Sequence, residues 1–258
     1  MTWPVISEAE ALRFLLILAR AGAFVAVFPV LGDGAVPMRI KAGIAGAFSL
    51  LLAGGGAAFA NLPEHWLGLV LLMGREVLIG LILGSAVRFV FMGAQFAGQS
   101  IGVQMGLGAA SLFDPSTDVS VMVNGRFYYL LAVLLFLSLN LHHAFLENFG
   151  RSFQILPLGE GGLPMGGIEQ WVRLSGSVLL LAVRLSLPVI AALLLLDIAL
   201  GFMARLVPQM NIFLMGFPLK IALGFAVLAL SVGPAGRLLA ESCRRMVGDF
   251  QTLMSWMR

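Results

Sequence analysis

Ser100 stands between two glycines in Gly98-Gln99-Ser100-Ile101-Gly102, a G-x-S-x-G spacing that can present a serine nucleophile. That chemistry needs a strand before the serine, a helix after it, and a base within hydrogen-bond reach of the hydroxyl. The stretch reads as helix on both sides, and His142 or His143 would have to reach Ser100 from another helix. Helix packing explains the same glycines, so no catalytic residue is assigned. Gly106-Leu107-Gly108 lacks the third glycine and the βαβ context of a dinucleotide site, so no cofactor is implied. A single cysteine, Cys243, with histidines only at 65, 142 and 143, gives no metal-ligand spacing. Arg75-Glu76, inside an apolar run, is either a proton relay or a buried structural pair. The structural reading is preferred, and Arg88 and Asp197 join it as buried polar or structural positions. Met105, Met122, Met210 and Met215 are compatible with a soft collar, but ordinary packing accounts for most of them.

The elements that must hold these residues are membrane helices. Of 258 residues, 60% are hydrophobic and 11% charged, with mean hydropathy +0.99. A soluble domain has about 25% charged residues, enough to cover a water-facing surface. About six apolar stretches stand out, 11–31, 40–60, 66–93, 127–146, 175–202 and 212–232, each near the roughly 20 residues that cross a hydrocarbon core. A barrel would alternate apolar and polar residues, whereas 178–181 and 191–196 are apolar on both faces. The expectation is an all-α integral membrane protein of about six kinked helices in one domain, 1–258, with loop-sized connections at 105–126 and 147–174. Glu8 and Glu10 precede the first apolar stretch where a signal peptide wants positive charge, so that stretch is read as a retained helix. Basic residues are scattered, with no cluster beyond Arg244-Arg245, which excludes a nucleic-acid stripe. A basic C-terminal tail over 236–258 places that end in the cytoplasm.

Pro29, Pro188 and Pro218 lie in or beside apolar runs and predict kinks. Arg20, Arg75, Glu76, Arg88, Arg184, Asp197, Arg205 and Lys220 intrude where a charge is costly. They argue that parts of the chain face other protein or a water-filled passage. Gly80 and Gly84 form one small-residue ridge, and Gly98, Gly102 and Gly106 continue a second in four-residue register behind Ala94; such ridges let helix backbones approach closely.

The segment 105–123 is glycine-rich, holds an isolated Leu112-Phe113 pair, and turns at Asp114-Pro115-Ser116. Physics alone leaves a re-entrant segment and an ordinary surface loop equally open.

The residues 98–117 (GQSIGVQMGLGAASLFDPST), followed by 127–160, by 204–224 and by 20–43 at the N-terminal end, resemble the FliR family of bacterial type III export-gate proteins. The likeness covers nearly the whole chain, in order. Pro208, Gln209, Asn211, Phe213 and Pro218 match a signature shared with injectisome homologues, while 102–106 and 156–159 look more flagellar. The resemblance implies a core subunit of the flagellar export gate in the bacterial inner membrane, at the basal body. It would work with FliP-like and FliQ-like membrane subunits and with FlhB-like and FlhA-like components, passing unfolded polypeptides without a cofactor. It also implies helices bent into hairpins within a helical assembly, and a plug loop closing the pore, carried here by Gly106, Gly108, Leu112, Phe113, Asp114 and Pro115. An injectisome homologue and a secondary transporter for a small solute are the alternatives.

Overall fold

The computed structural model describes residues 8–34, 36–54, 65–107, 119–159, 165–207 and 212–257. They form the helices α1 (Glu8–Val27), α2 (Met38–Gly54), α3 (Trp66–Gln104), α4 (Val119–Ser138), α5 (Leu141–Ile155), α6 (Met165–Leu206) and α7 (Ile212–Trp256), with no strand among the described residues. The all-α membrane class expected from composition is what is found.

The helices differ from the expected spans mainly in length. α3, α6 and α7 run 39, 42 and 45 residues. At about 1.5 Å per residue each is roughly 58–68 Å long, twice a hydrocarbon core of about 30 Å. Among the described residues these are the 3 helices long and apolar enough to cross a membrane, and a fourth span results if α4 and α5 count as one broken crossing. The stretches near 11–31 and 40–60 are helical, but as shorter elements of 20 and 17 residues. The supposed loop 147–174 holds the end of α5 and the start of α6, and α4 begins inside the supposed loop 105–126. The stretch 127–146 is not one helix: it breaks at Asn140, whose φ of 54° is left-handed, a conformation asparagine tolerates. The tail 236–258 continues α7 to Trp256. Pro188, Pro218 and Pro234 sit inside α6 and α7 without ending them.

The chain divides into two compact units. The first takes α1, α2, α3 up to Phe89, α5, the start of α6 and the end of α7 from Arg244. Its core is aromatic: Phe24 stacks on Phe149 at 4.1 Å, Phe48 meets Phe149 edge-on, and Phe145 meets Phe250 edge-on at 5.3 Å. Phe145, Asn148, Phe149, Ser152 and Phe153 recur every three or four residues, so α5 turns one stripe inward. Gly80 and Gly84 of α3 face α1: a Cβ at Gly80 would lie 2.9 Å from Ala23 Cβ, and one at Gly84 2.8 Å from the Phe24 carbonyl. Only glycine permits that approach.

The second unit takes the rest of α3, α4, most of α6 and α7 as far as Cys243. Phe91 of α3 packs on Tyr129 and Phe136 of α4. Gly98 meets the α4 backbone, where a Cβ would come 2.7 Å from Gly125 N, and Gly125 in turn faces Gln95 and Gln99. The second glycine ridge therefore makes its close approach through Gly98, and Gly102 is buried beyond it. Gly106 is not part of the ridge, because α3 ends at Gln104.

Candidate functional site

Among the described residues, each unit holds a polar centre built round a carboxylate. In the first, the fully buried Arg20 of α1 sits among three acceptors. Its Nε donates to Glu76 Oε2 at 2.5 Å, its Nη1 to the Ser152 carbonyl at 3.3 Å, and its Nη2 to the Leu156 carbonyl at 3.0 Å. The guanidinium also lies 4.3 Å from the Phe153 ring centre. Leu156 is the C-cap of α5, and the Ser152 carbonyl, which already accepts from the Leu156 N–H at 2.9 Å, takes Arg20 as a second donor, so Arg20 both neutralises Glu76 and caps the end of that helix. A planar fork of donors suits this arrangement; an ammonium does not.

The expected Arg75–Glu76 pair is thus a secondary contact, at 3.7 Å from Arg75 Nη1 to Glu76 Oε1. Adjacent residues on a helix point in different directions, and the partner that holds Glu76 comes from 56 residues earlier. Arg20 is the site residue that sequence reasoning left unassigned, although a lone arginine in an apolar helix must find acceptors. Arg88 is exposed on α3, not buried.

The second centre forms where α3 ends. Gly106 N–H donates to the Val103 carbonyl at 3.0 Å and Leu107 N–H to the Gly102 carbonyl at 3.1 Å, with Gly106 at φ 79°. This is the Schellman arrangement, which calls for glycine at the left-handed position. The Phe217 ring of α7 covers Gly106 so closely that a Cβ there would stand 2.6 Å from it. Met105 is held between Gly224 of α7 and Asn124 of α4, whose Nδ2 approaches the Met105 sulfur at 3.3 Å. Asp197 of α6 ties the region together: Lys220 Nζ of α7 lies 2.5 Å from Oδ1, and Gln104 Nε2 donates to Oδ2 at 3.2 Å. A cavity of about 300 Å³ adjoins the pair, lined by Asp197, Leu200, Gly201, Gly216, Phe217 and Lys220 among others.

Asp197 is therefore a partly buried carboxylate engaged with two neighbouring helices, and Pro218 follows Phe217 inside α7. Of the plug candidates only Gly106 lies within the described residues; Gly108, Leu112, Phe113, Asp114 and Pro115 lie outside them. So do Pro208, Gln209, Asn211 and the side chain of Phe213.

Ser100 is one residue of the continuous helix α3, and its hydroxyl donates to the Phe96 carbonyl at 2.9 Å. The strand-turn-helix elbow is absent at this position. Among the described residues no three of His, Cys, Asp or Glu gather as a metal site would require. What the geometry offers is positional: close backbone packing, a locked polar centre, and a tied-down helix end from which a glycine-rich connection departs.

A family model described as bacterial export proteins, family 1, matches residues 11–246. The chain is 34% identical over 221 residues to the flagellar biosynthetic protein FliR of Bacillus subtilis, covering 83% of this chain and 84% of that protein. It is 32% identical over 238 residues to FliR of Escherichia coli, at 92% and 89% coverage. FliR of Pectobacterium carotovorum is 32% identical over 257 residues, at 98% and 97% coverage.

Proposed function

The chain belongs to the FliR family of bacterial export proteins, as a membrane-embedded component of the flagellar export apparatus, and on that premise we propose that it is a core subunit of the export gate itself. In this reading it forms, with FliP-like and FliQ-like subunits, the channel through which unfolded flagellar proteins leave. FlhB-like and FlhA-like components work with it, in the inner membrane at the basal body. The subunit performs no bond chemistry. It supplies a path that stays closed until a polypeptide threads it, while the driving force is applied elsewhere in the machine.

The observation that carries the proposal is the family match, which runs in register across nearly the whole chain. Two structural features support it. The apolar windows of α6 and α7 are only 33% and 22% buried within the chain, against 61% for α3. Such faces require lipid or other apolar protein to cover them. Helices twice the bilayer thickness also suit a larger assembly, since a free-standing bundle would leave their ends without apolar surroundings.

The closing element is assigned to the connection after α3, with Phe113 filling the pore. The Schellman end at Gly106, the ring of Phe217 and the Asp197–Lys220 pair would fix the direction in which that connection leaves.

Native mass spectrometry of the C-terminally tagged chain, co-purified from membranes, tests the assembly. One copy of this chain among several copies of small membrane partners is expected; a stable monomer or homo-oligomer would overturn it. Deletion of 106–122, or Phe113→Ala, is expected to raise ion leakage through the assembled complex. Leakage at background in a fully assembled mutant complex would sink the plug assignment alone.

A further inference from the structure

α6 presents two unlike sides. Leu181, Ala182, Leu185, Ser186, Val189 and Leu193 are buried within the second unit. The opposite side carries the exposed residues Leu179, Leu180, Val183, Leu187, Leu194, Leu195, Ile198 and Phe202, spaced three and four apart. From Gly176 to Phe202 this exposed stripe is apolar or small throughout, with one charge in it, the exposed Arg184. Among the described residues Arg184 has no ion-pair partner, although Asp197 on the same helix is engaged with Lys220.

The position of that charge limits what can meet it. Arg184 is 11 residues beyond Arg173, the previous charge on the helix, and 13 before Asp197. At about 1.5 Å per residue it stands roughly 16 Å and 20 Å from the two, near the middle of a stretch that matches a hydrocarbon core of about 30 Å. Glu169 already takes Arg173 at 2.7 Å. An arginine side chain snorkels only a few ångströms, so lipid headgroups on either side are beyond its reach. Lipid tails cannot solvate it. Pro188, one turn further, has no N–H to give the Arg184 carbonyl. Cation and carbonyl together make a polar notch on an otherwise apolar face.

We infer that the Gly176–Phe202 face of α6 docks an apolar helix of a partner membrane subunit, and that a carboxylate on that helix pairs with Arg184. The inference rests on the chain working in a membrane assembly, and it goes further by naming the face, the anchoring residue and the partner's chemistry. The pair would set register, since a charge in an apolar interface is satisfied only when the two helices align.

The test compares Arg184→Glu, Arg184→Leu and Arg184→Lys in the tagged chain, recovered with its partners from membranes. None of the three removes a hydrogen bond or ion pair among the described residues, so accumulation of the subunit should match wild type. Arg184→Glu is expected to lower recovery of the assembled complex about tenfold or more, Arg184→Leu to lower it less, and Arg184→Lys to retain most of it. Motile revertants of Arg184→Glu should carry an acidic-to-basic change in an apolar helix of a partner subunit. Recovery of the Arg184→Glu complex at wild-type level would overturn the inference. Normal recovery with altered ion leakage would also overturn it, by assigning Arg184 to a water-filled passage. Failure of the wild-type chain to bring down any partner would end both this inference and the gate reading; wild-type recovery in all three variants would end this inference and leave the gate reading intact.

Discussion

Glu76 and Asp197 each meet a cation at 2.5 Å, but the two pairs are built differently. Glu76 and Arg20 are both fully buried, and Arg20 spreads its donors over a carboxylate and two carbonyls while stacking on Phe153. Asp197 and Lys220 remain 33% and 23% exposed, and Lys220 offers a point charge on a flexible stem. A buried fork that satisfies several acceptors cannot let go without stranding a buried carboxylate. A half-exposed pair can exchange its partner for water at little cost. The first unit is thus held by a lock, and the second ends α3 with a contact that can open. That difference suits the proposed gate, in which the fold is kept while the connection after α3 moves.

The largest effect is expected from breaking the lock. Arg20→Met leaves Glu76 charged and buried and strips the end of α5, which should cost about 3–5 kcal/mol. The steady-state amount of membrane-inserted protein and its melting temperature in detergent should both fall. Arg20→Lys should fail nearly as badly, since one ammonium cannot serve three acceptors in those directions. Adding Glu76→Leu to Arg20→Met should recover much of the loss. If Arg20→Met melts like wild type, the contrast between the two centres collapses.

The close α3–α4 approach in the second unit ranks next. At Gly98 a Cβ would collide with the backbone of Asn124 and Gly125, atoms that cannot swing aside. Gly98→Ala is expected to destabilise by about 1–3 kcal/mol through overpacking. Gly22, where an added methyl would meet nothing within 4 Å, is the control. Gly22→Ala should be neutral or stabilising by up to about 1 kcal/mol, because alanine is the better helix former. Equal melting temperatures for the two variants would remove the close α3–α4 approach from the account.

Asp197→Asn should sit lower. It removes the charge attraction for Lys220 and keeps an acceptor for Gln104, so about 1 kcal/mol or less is expected. The protein should accumulate normally, while the assembled complex leaks ions more than wild type does. A collapse in protein level comparable to that of Arg20→Met would make Asp197 a second lock.

Much of the fold is legible in the residues, and the misses have physical causes. The helical class follows from runs apolar on both faces, and the four-residue spacings Gly80–Gly84 and Gly98–Gly102 are the signal for the close backbone contacts that Gly80, Gly84 and Gly98 make. The end of α7 is hidden because Arg237, Glu241, Arg244 and Arg245 lower the hydropathy there. Yet Leu239, Cys243, Met246, Phe250 and Leu253, all buried, recur every three or four residues, and that signal is present in the sequence. The Arg20–Glu76 pair is not legible in the same way. Sequence shows that each needs a partner, and adjacency makes Arg75 the nearest candidate, but a contact across 56 residues depends on which helix faces which. Gly106 belongs to the glycine register by spacing and to a helix end by conformation, and only the backbone angle separates the two roles.

The smallest effect concerns two serines on α3, one in each unit. Ser85 accepts a hydrogen bond from Trp171 Nε1 at 2.7 Å, and Phe89 lies against the same indole. Among the described residues Ser100 bonds only to its own helix, through the Phe96 carbonyl, as serines on helices commonly do. Ser85→Ala should cost about 1 kcal/mol, because the indole N–H is left without its acceptor. Ser100→Ala should change neither stability nor export, since alanine is the better helix former and no group outside the turn is lost. Motility and secretion of flagellar proteins at wild-type level in Ser100→Ala would remove the hydrolase spacing around Ser100 from the chemistry of this chain. Loss of export in a stably accumulated Ser100→Ala protein would instead give that hydroxyl a role the helix does not explain, and would place chemistry in the second unit.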